Sequence, residues 1–109
     1  MKKFPIEIEI FKAIVHVTVG TSEEIKKECE RLGQTCPLYE NTLAHTHYHE
    51  GHDPHLYLLK GFTDATLLHE SVHCANAILR DVGIKSCYES EEAQAYLIEY
   101  IFKMAKKKK

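Results

Sequence analysis

The residues that could do chemistry are concentrated in Leu67-Leu68-His69-Glu70-Ser71-Val72-His73-Cys74-Ala75, which contains His-Glu-x-x-His. In a helix, His69 and His73 lie one turn apart on one face, where two imidazoles can bind a single Zn²⁺. Glu70 then stands beside the metal and can act as general base toward an activated water. The surrounding residues predict that helix. Leu68, Val72, Ala75, Leu79 and Val82 step by three and four as an apolar stripe, and His69, His73, Asn76 and Arg80 form a separate polar one. Thr63 or Asp64 can cap its start and Gly83 its end. The plain alternative is a solvated polar face that happens to carry two His.

A zinc site for catalysis wants a third protein ligand and an open position. From His73 to the helix end near Val82 is about nine residues, or roughly 14 Å. The seven-residue link from Gly83 to Glu89 can reach up to about 23 Å when extended. The chain can therefore double back and bring Glu89, Glu91 or Glu92 toward His73. Glu92 is favoured because it shares a face with the small Ala95, with Tyr96 and with Glu99; Glu91 is the next choice. The competing reading is that these are favourable charges on a helix N-terminus and bind nothing.

The elements that must position these groups can be read in order. Ile6, Ile8 and Ile10 alternate with Glu7 and Glu9 as a half-buried strand, and Ala13 to Val19 reads as its partner across a tight Phe11-Lys12 connection. Thr21-Ser22-Glu23-Glu24 has the pattern of a capping box, so a helix runs to about Leu32 and stops at Gly33. Thr35 to Asn41 is a loop. Thr42 to His49 alternates, with Leu43, His45, His47 and His49 on one side. His55 to Phe62 is a short strand that completes a hairpin. Ser90 can cap a last helix over about Glu91 to Met104.

Together these predict an α+β domain: a small antiparallel sheet, an early helix, the metal helix and a C-terminal helix, occupying residues 1–105 with a Lys tail at 106–109. A chain of 109 residues suits one domain. The net charge of −2 gives no sign of a nucleic-acid partner. Met1-Lys2-Lys3 begins like a secretion signal, but Pro5, Glu7 and Glu9 interrupt the apolar run, and no stretch approaches a membrane span. The expectation is a cytoplasmic protein with no membrane association. Of the four cysteines, Cys29 and Cys74 fall on apolar stripes; Cys36 and Cys87 fall in loops, and no Cys-x-x-Cys is present.

His45, His47, His49, His52 and His55 crowd the predicted hairpin. A second metal site, a zinc-loading surface or a pH-sensitive flap are the functional readings. The bland one is a polar edge-strand face that guards against aggregation.

The segments Leu68-His69-Glu70-Ser71-Val72-His73 and Glu91-Glu92-Ala93-Gln94-Ala95-Tyr96-Leu97, in this order and spacing, resemble the gluzincin-type metallopeptidases. The likeness is closest to minimal forms of about a hundred residues and to small zinc peptidases predicted from phage genomes. It covers roughly Leu56 to Phe102. It implies a zincin-like core, Zn²⁺ as cofactor, a peptide or protein substrate, and a third ligand in a Glu-x-x-Ala pattern that maps onto Glu92-Ala93-Gln94-Ala95. It also implies that the strand at Leu56 to Lys60, or its hairpin partner, pairs with extended substrate. Two departures stand out. Where larger gluzincins carry an Asp one turn after the ligand Glu, this chain has Tyr96. They also draw a transition-state stabiliser from a further domain; within these residues Tyr96, Tyr88 or an upstream His must serve. The readings left beside a peptidase are a non-catalytic zinc module, a metal-free interaction protein, and a deformylase-like amidohydrolase that would need Cys36 as third ligand.

Overall fold

The alternation of the N-terminal segment places Phe4, Ile6 and Ile8 on one side of a strand, and it is this side that turns inward. β1 spans Lys2–Ile8 and pairs antiparallel with β2, Ala13–Gly20. In the computed structural model, which describes residues 1–34, 42–85 and 87–108, the connection is a 3-10 turn over Glu9–Phe11 closed by Lys12 in the left-handed region (φ 52°). Ile10 therefore leaves the strand pattern and is 84% exposed, unlike Ile6 and Ile8.

α1 follows at Ser22–Arg31, with both halves of the Thr21/Glu24 capping box formed. The loop read at Thr35 to Asn41, and Cys36 within it, lie outside the described residues. β3 (Ala44–His47) and β4 (His55–Leu59) form the expected antiparallel hairpin. α2 occupies Asp64–Asp81 and α3 Glu91–Lys107. Lys106 is thus helical, and its ammonium meets Asp64 Oδ2 at 2.9 Å, which ties the end of α3 to the start of α2.

The class is α+β, as the sequence implies, but the sheet is mixed. Its order is β1-β2-β4-β3, and β2 and β4 run parallel, with His16 beside His55 and Val19 beside Leu58. Antiparallel pairing throughout does not occur because the chain leaves β2 through α1 and returns in the same direction, a crossover long enough for a parallel pair. β4 is consequently interior. The outer strand of the hairpin is β3.

The two sheet faces are covered unequally. Ile6, Ile8, Val15, Val17, Leu56 and Leu58 meet Leu67, Cys74, Ala75, Ile78 from α2 and Leu97, Ile101, Ala105 from α3 in the main core. On the other face, among the described residues, Tyr57, Ile25 and Cys29 form a smaller buried cluster, with Leu59 against it. A ten-residue helix is about 15 Å long, so α1 covers one end of this face. Cys29 and Cys74 are buried, as their positions on apolar stripes imply. The stripe facing the core from α2 is centred on Leu67, Cys74 and Ile78; Leu68 and Val82 are exposed at 48% and 44%. The helix turns this way because it is wedged between the sheet and α3 and buries more than one stripe.

Candidate metal centre

α2 is started by Thr63, whose side chain accepts from Thr66 N at 3.2 Å, and it ends at Gly83, whose φ of +82° suits glycine. The helix carries His69 and His73 on its exposed side. Their Nε2 atoms are 3.3 Å apart and the rings are near-perpendicular at 71°. Two imidazole nitrogens at that distance share one proton between them or converge on one cation. The ligand atoms of His69, Glu70 and His73 all lie within 4.8 Å of one another, and among the described residues no other group of three meets that condition. This group could hold a metal ion. Imidazole and carboxylate are donors that zinc accepts.

Glu70 differs from the two His in being 7% exposed. It points at the outer strand. Thr46 Oγ1 lies 2.7 Å from Glu70 Oε2 and 3.3 Å from Glu70 O, and 3.7 Å from Cys74 Sγ. The hydroxyl holds one carboxylate oxygen and leaves the other free. Burial pushes the Cys74 thiol up to about 12, so it stays protonated and offers no thiolate. Thr46 was not singled out by the sequence reading. Its signal was faint: a Thr between His45 and His47 whose position alternates onto the buried face.

Glu92 is not among the residues whose ligand atoms lie within 4.8 Å of one another. Glu92 lies in the first turn of α3, exposed, on the stripe it shares with Tyr96, Glu99 and Lys103 and away from buried Leu97, Ile101 and Ala105. The start of α3 meets α2 through Gln94, whose Nε2 donates to Asn76 Oδ1. Glu91 and Glu89 are exposed as well, and Cys87 Sγ donates to Glu89 Oε2 at 3.3 Å. Tyr96, 67% exposed, lines a groove with Phe4, Ile8 and Phe11. Tyr88 is 88% exposed.

The hairpin histidines are not where a flat polar edge would put them. Pro5, His16, His55 and His47 are register partners across all four strands, so they form one row on the α1 side of the sheet. Desolvation and neighbouring imidazoles hold His47 and His55 below the ordinary histidine value. Compared with protein-family models, with curated proteins and with solved structures, the chain matches none. No helix among the described residues is long and apolar enough to cross a membrane.

Proposed function

We propose that this chain is a small zinc-dependent metallopeptidase centred on His69, Glu70 and His73. The observation that carries the reading is the division of labour within one helical turn. Two exposed imidazoles converge, while the carboxylate between them is buried and held at one oxygen by Thr46. A merely solvated polar face gives no reason to bury and anchor that carboxylate. Bound zinc would supply Lewis acidity, acidifying water and polarising a carbonyl. Glu70, fixed through Oε2, keeps Oε1 to take the proton of the attacking water and to return it to the leaving amine. β3, the outer strand, offers the backbone edge nearest Glu70, so an extended peptide is the substrate class its geometry favours.

By resemblance the third ligand is Glu92. Because that carboxylate stands outside the group, the reading requires the Glu92 side chain to move in toward His69 and His73 on metal binding. The same observation favours a second reading, a non-catalytic metal-binding module that recognises a partner. Two variants separate them. Glu70→Gln should retain zinc through dialysis, by elemental analysis, while peptide hydrolysis falls by about 10²- to 10⁴-fold. Hydrolysis that survives in this variant removes the general base. Zinc bound with no turnover in the wild type leaves the binding module. Glu92→Gln should weaken zinc retention; undiminished zinc there moves the third ligand elsewhere.

A further inference from the structure

The row of histidines lies on the opposite face of the sheet from the main core and plays no part in the reading above. His16 and His55 face each other on parallel neighbours β2 and β4, with ring centroids 4.8 Å apart and planes 24° from parallel. His55 is also opposite His47 on β3. His49, two residues on, returns its ring to the same place: its Nε2 is 3.1 Å from Nε2 of His47. Adjacent strands are about 4.8 Å apart, so His55 on β4 stands one strand away from the His47–His49 pair on the same face. α1 packs at the Tyr57 end of this face. His47 and His55 are half-buried, and the turn is pinned: Asp53 Oδ1 accepts from Ile14 N at 3.0 Å and Pro54 O from His16 N at 3.0 Å.

We infer that His47, His49 and His55 form a second metal site, for a borderline divalent transition cation such as Zn²⁺ or Ni²⁺, with His16 stacked behind His55 to hold its ring. Imidazole nitrogen is the ligand such ions share. Asp53 Oδ2 lies 3.9 Å from His16 Nε2 and adds a carboxylate at the margin. Among the described residues, the lysine near the cluster is Lys3, whose ammonium is engaged by Glu28. The ligand atoms of all three are not yet within one 4.8 Å span, as those of His69, Glu70 and His73 are. Binding therefore rotates the rings about χ1 and χ2 and is weaker than at the helix.

The test isolates the second site by removing the first. The full chain carrying His69→Ala and His73→Ala, both at exposed positions, is titrated with Zn²⁺ alone by calorimetry. One equivalent should bind. Adding His47→Gln and His49→Gln should weaken that binding at least tenfold. No binding in the first variant, or binding undiminished in the second, overturns the site. In the wild type, Ni²⁺ added beyond one equivalent, with the helical pair already filled, should broaden the imidazole NMR signals of His47, His49 and His55 as a group. Broadening that omits them overturns the site regardless of how any variant folds. Neither result depends on peptidase activity, so failure of the helical centre and failure of this one read out separately.

Discussion

Thr46 has one hydroxyl proton and two oxygens of Glu70 within reach, at 2.7 and 3.3 Å, and the shorter contact to the charged Oε2 takes it. A hydrogen bond to a charged group contributes more than a neutral one, and a buried carboxylate oxygen left without a donor pays its desolvation in full. Thr46→Val keeps the shape of the side chain and removes the donor. It should lower unfolding stability at neutral pH by about 2 kcal/mol, read from urea denaturation, while Thr46→Ser should stay close to the wild type. A Thr46→Val protein as stable as the parent would mean that Glu70 is not anchored there, and the contrast between Glu70 and its flanking histidines would lose its meaning. Neither Thr46 nor the His16 partner of His55 stands out in the sequence. Alternation tells which side of a strand a residue faces, and gives no information about the strand that will lie beside it.

At the level of elements, a buried carboxylate ties α1 to the sheet beside the Ile25–Cys29–Tyr57 cluster. Glu28 is 5% exposed and takes Lys3 from β1 and Arg31 from its own helix, at 2.5 Å each. The hydrogen bond from Arg31, then that from Lys3, lowers its pKa from 4.5 to about 2. A carboxyl with a folded-state pKa below its unfolded value stabilises the fold above the unfolded pKa and loses that contribution as pH falls toward the folded one. Stability from Glu28 is therefore complete above about pH 5 and is lost between there and about pH 2. The Glu28→Gln protein should be less stable than wild type at pH 7, and the two urea midpoints should converge as pH approaches 2. Midpoints that stay parallel across that range would show that the ion pair is not what shifts Glu28. The caps of α1 and α2, Thr21 and Thr63, were legible because capping chemistry is local. The parallel β2–β4 pair was not, because its specification is spread over the core side chains that choose α1 as a crossover.

For the molecule as a whole, the question is whether a metal at His69 and His73 clasps one helix or ties two together. The His pair could be read from spacing alone, since helical geometry fixes an i, i+4 pair without reference to the rest of the fold. The third ligand could not, because the link before α3 has length to spare and the helix can start in many orientations. A ligand that binds only the folded state stabilises it by about 2.7 kcal/mol at a hundredfold excess over Kd. For a chain of this length that is roughly a 10 °C rise in Tm. Zinc should produce such a rise over EDTA in the wild type and lose it in the His69→Ala/His73→Ala protein at zinc concentrations too low to fill the weaker hairpin site. An ion held by α2 alone leaves the rise intact in Glu92→Gln. An ion that also draws in the start of α3 loses most of the rise in that variant, because the free energy of closing the two helices around it is then part of the binding. An unchanged Tm in the wild type would mean that the imidazole pair, 3.3 Å apart, is filled by a shared proton and nothing more.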